Sequence, residues 1–177
     1  MSGFVHLHLH TEYSLVDGIV RIPELMGAVA QARMPAVALT DQCNLFGMIK
    51  FYKEALHAGV KPIIGVDALV REPGERSQPG RVVMLCQNLK GYHGLTRLVS
   101  RSYLEGQRLG VPLMDRTWFD RDSLAGIIVL GGPESDVGQA LVRAREEEAM
   151  RCLQQWRDWC GNRFYLEVQR VGRADEQ

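Results

Sequence analysis

The chain has 177 residues, 46% of them hydrophobic, and its 21 basic and 21 acidic side chains leave a formal net charge of zero. This length supports one sizeable hydrophobic core, and the charge balance excludes the overall excess of positive charge typical of an autonomous nucleic-acid-binding domain. The sequence contains no apolar stretch long enough to span a bilayer and no export signal, which predicts a soluble, cytoplasmic protein.

The first half of the chain has the pattern of a repeating β-α-β unit. Alternation of apolar residues and histidines predicts a first strand, and apolar residues at helical spacing predict the helices that follow. In order, we expect a strand at 4–10, a loop at 11–18, a helix from Pro23, a strand at 36–39, a helix from Met48 that ends before Gly59, and a strand at 62–70.

The second half continues the alternation of helices and strands. We expect a polar loop at 74–80, a strand at 82–86, a helix at 92–104, a strand at 126–130, a helix that contains Ala149 and Cys160, and a strand at 164–168. Such alternation is typical of α/β proteins with a largely parallel sheet or barrel. No closing strand follows, so we expect the chain to be part of something longer.

The four cysteines show no metal-binding or redox spacing. Cys43, Cys86, Cys152 and Cys160 include no CxxC pair, and small buried thiols pack well among apolar residues. We expect all four to be reduced and structural, as in a cytoplasmic protein.

Three of the five histidines lie at alternate positions near the N-terminus: His6, His8 and His10. Residues two apart on a strand share a face, with their Cα atoms roughly 7 Å apart, so two imidazoles can converge on a metal ion. His8 and His10 are nearest the following loop and are the better candidates. The alternative is that these histidines only form the polar face of a half-buried strand.

Aspartates follow or lie on the first three predicted strands. Asp17 comes after the histidines, Asp41 ends the second strand, and Asp67 lies on the third. In parallel α/β folds, sites gather at the carboxyl ends of the strands. These carboxylates, together with the histidines, therefore predict a ring of possible metal ligands.

Several segments carry a family resemblance. FVHLHLHTEYSLVDG, AVALTDQCNLFG and GVKPIIGVDALV, followed by NLKGYHGLTRLVSRSY, IIVLGGPESDVGQAL and FYLEVQR, resemble the PHP (polymerase and histidinol phosphatase) domain at the N-terminus of bacterial DNA polymerase III alpha subunits. The resemblance covers essentially the whole chain in order and spacing. It implies a distorted seven-stranded β/α barrel, here truncated before its last strands, so that residues 1–177 are the N-terminal part of the domain and the polymerase core domains are absent.

The resemblance also implies a cluster of three metal ions that hydrolyses phosphoesters in many relatives, but this sequence keeps only part of the ligand set. The remnant metal site is His8, His10, Asp17 and Asp67, whereas Gln42, Arg81 and Gly132 stand where the family has histidine, histidine and cysteine. We expect these remaining ligands to bind Zn, Mn or Mg at most weakly. We therefore expect no firmly bound cofactor and assign no catalytic residue.

We hypothesise that Arg81 takes over the electrostatic role of a metal ion. Its guanidinium is always charged and can take the place of a metal's positive charge by pairing with Asp17 or Asp67. The alternative is an ordinary exposed arginine at a strand edge.

Two functions follow from the resemblance. In the first, the domain is a structural scaffold beside the polymerase core and docks the proofreading exonuclease subunit. DNA binding and Mg-dependent nucleotide transfer are then functions of other domains of the parent polymerase. In the second, His8, His10, Asp17 and Asp67 form an active metal-dependent phosphoesterase, either an exonuclease, a pyrophosphatase or a histidinol-phosphatase-like enzyme. Neither function involves a membrane.

Overall fold

The computed structural model describes residues 3–15, 17–71, 79–170 and 172. Its helices are α1 (Ile22–Gln31), α2 (Met48–His57), α3 (Leu89–Leu104), α4 (Asp136–Val142) and α5 (Glu146–Cys160). Its strands are β1 (Ala36–Leu39), β2 (Lys61–Arg71), β3 (Gly80–Cys86), β4 (Gln107–Arg108), β5 (Val111–Pro112), β6 (Met114–Asp115), β7 (Ile127–Gly131) and β8 (Phe164–Leu166). The expected loop at 74–80 lies outside the described residues, except for its last two positions.

The main sheet has the strand order β1-β2-β3-β7-β8, and β6 pairs with the end of β2. β1 with β2, β2 with β6, and β7 with β8 are parallel, whereas β3 is antiparallel to both β2 and β7. The connection from β2 to β3 is too short for the crossover that a parallel pair needs, so these two strands run antiparallel. The α/β class is confirmed, and the sheet is mixed, with more parallel than antiparallel pairs. The described strands do not close into a barrel.

Proline and capping side chains mark the starts of three helices, and α3 begins at Leu89, three residues before the predicted start. Pro23 lies in the first turn of α1, and the side chains of Asn88 and Ser135 accept hydrogen bonds from the backbone N–H groups of Gly91 and Gly138 at the starts of α3 and α4. Such caps satisfy N–H groups that have no partner within the helix. None of the described helices combines the length and the apolar character needed to cross a membrane.

The hydrophobic core has two main parts. One packs α1 and α2 against β1 and includes Ile22, Val37 and Phe51, which are fully buried. The other lies between the rest of the sheet and helices α3 and α5, and its largest member is Trp156, whose ring stacks on Phe164 with centroids 5.5 Å apart. Both parts pack helices against the sheet that carries the site described below.

The first predicted strand, at 4–10, is not a regular strand. It has a single parallel bridge, between His6 and Val37, and two backbone hydrogen bonds from β1 and Thr40 to its carbonyl groups. The backbone N–H of Leu9 donates instead to the side-chain Oγ1 of Thr40 at 2.7 Å, which replaces the next bond of the ladder. The segment therefore stays extended beside β1 without forming a strand.

Other boundaries also differ from the predictions. β8 ends at Leu166, two residues before the predicted end, and the helix α4 and the short strands β4, β5 and β6 were not predicted. The four cysteines are free, as expected. Burial raises the pKa of each of their thiols to about 11, as it does for structural cysteines.

Candidate functional site

A cavity of about 230 Å³ lies against the main sheet and is lined by side chains from widely separated parts of the chain. His8 and His10 come from the extended N-terminal segment, Asp67 from the middle of β2, and Arg81 from β3. Glu167 comes from the residue directly after β8. The cavity is therefore assembled from both ends of the strand order and from its centre.

The two histidines converge on one carboxylate. Nε2 of His10 is 3.0 Å from Oδ2 of Asp67, and Nε2 of His8 is 3.5 Å from the same oxygen. The other ring nitrogens also have acidic partners: Nδ1 of His8 is 2.9 Å from Glu167, and Nδ1 of His10 is 3.1 Å from Asp17. Both imidazoles are thus held between two carboxylates.

Asp67 is the centre of the cluster, and its side chain is fully buried. Besides the two histidines it has a third cationic neighbour, because Nε of Arg81 lies 3.6 Å from Oδ2 of Asp67 and 3.4 Å from Glu134. Arg81 thus forms an ion pair with Asp67, as expected, but at a distance beyond hydrogen-bond length; a contact with Asp17 is not among the ion pairs described. Only 27% of the Arg81 side chain is exposed, which argues against an ordinary exposed arginine.

The close packing of opposite charges shifts the pKa values in the cluster. Burial alone lowers the pKa of His8, but the carboxylates of Asp67 and Glu167 outweigh it and raise the pKa to about 9. The bond to Asp67 raises the pKa of His10. Burial raises the pKa of Asp67, but its bonds to the histidines and the charge of Arg81 bring the pKa below its usual range, and His8 likewise lowers the pKa of Glu167.

The loop that carries Asp17 is held in place by its own backbone. The N–H of Glu12 donates to the carbonyl of Val20 at 2.9 Å, which closes the loop. Gly18 passes so close to Thr11 that a Cβ atom at position 18 would lie 1.7 Å from the Thr11 carbonyl oxygen. Glycine is therefore required there, and it brings the neighbouring Asp17 to His10.

Asp41 does not join the predicted ring of ligands. Its side chain accepts hydrogen bonds from the backbone N–H and the hydroxyl of Thr11 and from the hydroxyl of Ser14, at 2.6 to 3.0 Å. These bonds occupy both carboxylate oxygens, and the residue is fully buried. Asp41 therefore ties the N-terminal segment and its loop to the sheet.

The positions where family ligands are replaced lie in different surroundings. Gly132 lines the cavity, and a Cβ atom there would be 3.3 Å from Oε2 of Glu167. Gln42 is beside Asp67 in the backbone register but does not line the cavity. His6 contacts the ring of Phe4, 4.8 Å between centroids, and is outside the cluster.

Glu167 belongs to the site but was not predicted from the sequence. It directly follows β8, much as Asp41 lies two residues after β1, and this position at a carboxyl strand end was the signal that could have identified it. Its partner His8 is 159 residues away, so only the folded sheet reveals the pairing.

The donor set fits a single cation better than a cluster of cations. His8, His10 and Asp67 each offer a ligand atom, and these atoms lie within 4.8 Å of one another. Within the described residues, Oδ1 of Asp67 is buried without a hydrogen-bond partner, so it is available to a metal. However, binding would require both histidines to lose their protons beside the positive charge of Arg81. The set therefore fits one weakly held ion and does not fit three.

The sheet, the N-terminal histidine pair and the acidic residues at strand ends define the class of protein. The model of the PHP domain family matches residues 6–171, and the chain belongs to this family. Among curated proteins it is similar to DNA polymerase III subunit alpha of Pseudomonas aeruginosa, with 45% identity over 99% of the chain, and to those of Vibrio cholerae and Escherichia coli K12, with 38% and 36% identity over 98%. The chain spans about 15% of the length of these relatives.

Two solved structures were found as distant matches to part of the chain. A protein described as a metal-dependent phosphoesterase from Bifidobacterium adolescentis has a TM-score of 0.45 and 12% identity over 59% of this chain and 34% of its own. An amidohydrolase from Chromobacterium violaceum with bound sulfate and no metal has a TM-score of 0.44 and 20% identity over 55% of this chain and 32% of its own.

Proposed function

We propose that this chain is the N-terminal PHP domain region of the alpha subunit of a bacterial replicative DNA polymerase, acting in the cytoplasm. The support is its identity of 36 to 45% to such subunits over nearly its whole length. Nucleotide transfer, its Mg ions and most DNA contacts belong to other domains of the parent protein. The charge balance of the chain fits this division, because it provides no excess of cations for a phosphate backbone.

Within that polymerase, we propose that the domain has a structural role and that its ion cluster has replaced a metal cluster. The observation that carries this proposal is the buried Asp67 with three cationic neighbours, His8, His10 and Arg81. When both histidines are protonated, these cations face the carboxylates of Asp67, Glu167, Asp17 and Glu134. The charges of the cavity are then nearly balanced without a metal ion.

We also infer that the domain docks the proofreading exonuclease subunit. The similarity to polymerase alpha subunits supports this role, and a docking role is compatible with the reduced ligand set. The exonuclease would then supply the hydrolytic activity that the cavity of this chain no longer provides.

A second candidate, a metal-dependent phosphoesterase, is favoured by one observation. Oδ1 of the buried Asp67 has no hydrogen-bond partner among the described residues, and two imidazoles are next to it. A metal ion bound there would supply an activated water for phosphoester hydrolysis. His8, His10 and Asp67 would hold the ion, with Asp17 beside His10.

The decisive experiment is to measure the metal content of the full-length parent protein, purified without tags or chelators, by mass spectrometry. The His8→Ala variant tests the cluster, and His6→Ala is its matched control, because His6 lies in the same segment but outside the cluster. If the domain is structural, the wild type, His8→Ala and His6→Ala should all lack stoichiometric metal. Stoichiometric metal that disappears in His8→Ala alone, together with hydrolysis of bis-p-nitrophenyl phosphate, would contradict it and establish the phosphoesterase.

The exonuclease proposal has its own test. The parent polymerase and its exonuclease subunit are cross-linked with a lysine-reactive reagent, and the products are identified by mass spectrometry. We expect cross-links from one or more of Lys50, Lys53, Lys61 and Lys90 to the exonuclease. Cross-links that fall only in later parts of the polymerase would show that this domain is not the docking site.

A further inference from the structure

A second cavity, of about 470 Å³, is lined by an unusual number of arginines. It lies where the end of β2 and the start of β3 meet helices α4 and α5, and its arginines are Arg71, Arg116, Arg143 and Arg151. Its lining shares only Val82 with the cavity around Asp67. It is therefore a separate site, formed by other elements.

The acidic residues of this cavity already have partners. Asp136 accepts hydrogen bonds from the Nη1 group of Arg116 and from the indole N–H of Trp156. Glu148 is 3.2 Å from Arg145, which does not line the cavity. With Asp136 and Glu148 against four arginines, the lining has an excess of two positive charges, although the whole chain has none.

Arg116 forms a fixed floor for the cavity. Its side chain is only 6% exposed, it donates hydrogen bonds to Gln155 at 2.8 and 3.2 Å, and its guanidinium lies 5.5 Å and 5.3 Å from the ring centroids of Trp156 and Trp159. These contacts hold its guanidinium in one orientation. Asp136 balances the charge of Arg116, but the guanidinium is a preorganised donor group in the cavity wall, which reduces the cost of binding an anion there.

The other three arginines retain capacity to donate. The buried Nε of Arg71 has no acceptor among the described residues, and its Nη2 is 3.8 Å from Asp115, beyond hydrogen-bond length. No ion pair within the described part of the chain involves Arg143 or Arg151. Three guanidinium groups from β2, the end of α4 and the face of α5 therefore surround one space.

We propose that this cavity binds a small phosphorylated compound with at least two negative charges on its phosphate groups. Guanidinium groups form paired hydrogen bonds with phosphate oxygens, and the cavity volume is within the range of small-molecule sites. A concave site that is local to a neutral chain fits a compact ligand better than an extended nucleic-acid backbone, which needs a continuous basic track. The proposal is independent of the role proposed for the Asp67 cluster.

The test uses inorganic diphosphate and the full-length parent protein. The buffer contains no magnesium, so that Mg-dependent nucleotide sites do not bind diphosphate. Equilibrium dialysis measures the number of diphosphates bound by the wild type and by the Arg143→Ala/Arg151→Ala double variant. Arg157→Ala is the matched control, because Arg157 is on α5 but does not line the cavity. Thermal unfolding of each variant establishes that it remains folded.

We expect the double variant to lose one equivalent of diphosphate, or to bind it roughly tenfold or more weakly, which is the usual effect of removing hydrogen bonds to a charged group. Arg157→Ala should bind like the wild type. Equal binding by all three proteins would overturn the proposal. A double variant that loses affinity for a single-stranded thymidine oligonucleotide but not for diphosphate would also overturn it, in favour of a nucleic-acid contact.

Discussion

Nδ1 of His8 lies 2.9 Å from Oε1 of Glu167, and this contact joins the two ends of the main sheet. His8 is in the extended segment beside β1, and Glu167 follows β8 at the other end of the strand order. The sheet must therefore curve until its ends meet at the cavity. This ion pair connects the N-terminal segment with the residue that follows the last strand.

Replacing Glu167 with glutamine should weaken this connection. The variant Glu167→Gln keeps the size of the side chain but removes its charge, so the pKa of His8 should fall and the free energy of unfolding should decrease by about 1 kcal/mol. The pKa is measured by NMR titration of the His8 imidazole, and the stability by urea unfolding. Glu147→Gln, an exposed change on α5, is the control and should affect neither. An unchanged pKa of His8 in Glu167→Gln would show that the contact is not formed in solution.

The stability of the metal-free protein should depend on pH in a specific direction. The folded-state pKa of His8 is about 9, above the roughly 6.5 of an unfolded chain. Its protonated form therefore contributes stability that is fully present below about pH 6.5 and is lost as the pH rises through about 9. His10 acts in the same direction, because its pKa is also raised.

The carboxylates of Asp67 and Glu167 determine how stability is lost at acidic pH. The lowered pKa values of Asp67 and Glu167 contribute stability that is present above their ordinary values, roughly 4, and is lost as the pH falls. Urea unfolding with a chelator present should therefore give a maximum between about pH 5 and 6.5 and a decline toward pH 9. His8→Gln should reduce the decline. A flat profile across the alkaline range would be inconsistent with a protonated His8.

Arg81→His should convert the ion cluster toward a metal site. The change removes the fixed positive charge 3.6 Å from Asp67 and adds an imidazole at the same place. We expect zinc affinity, measured by isothermal titration calorimetry, to increase between about 10- and 100-fold, the range caused by changes around a ligand. Arg81→Gln separates the two effects, since it removes the charge without adding a good ligand. Equal affinities in Arg81→His and wild type would show that Arg81 does not control the site.

Two glycines in helices should respond to alanine in opposite ways. A Cβ atom at Gly91 in α3 would lie 1.9 Å from the carbonyl oxygen of Gly126, whereas nothing lies within 4 Å of one at Gly27 in α1. Gly91→Ala should therefore destabilise the protein by about 2 kcal/mol or more, because backbone atoms must move. Gly27→Ala should stabilise it by about 0.5–1 kcal/mol, because it restricts the unfolded chain. Thermal and urea unfolding measure both, and a tolerated Gly91→Ala would mean that α3 packs differently.

Much of the fold could be predicted from local patterns. Strand β1 begins and ends at the predicted residues, and α1, α2 and β2 lie within a residue or two of their predicted positions. These elements have clear apolar periodicity and strong boundary residues such as Pro23 and Gly59, which has a φ of +67°. The short strands β4, β5 and β6 have two residues each, too few to show any period, and were therefore missed.

The sequence by itself determined the family and the α/β class and identified His8, His10 and Asp67 as candidate site residues, because these depend on residue types and on spacing along the chain. It predicted Asp41 as a ligand and missed Glu167, although both are acidic and both come shortly after a strand. The tertiary structure decided this point: Thr11 and Ser14 occupy the oxygens of Asp41, while the curvature of the sheet brings Glu167 to His8. Such pairing depends on the accumulated twist of several strands, a property that no local pattern encodes.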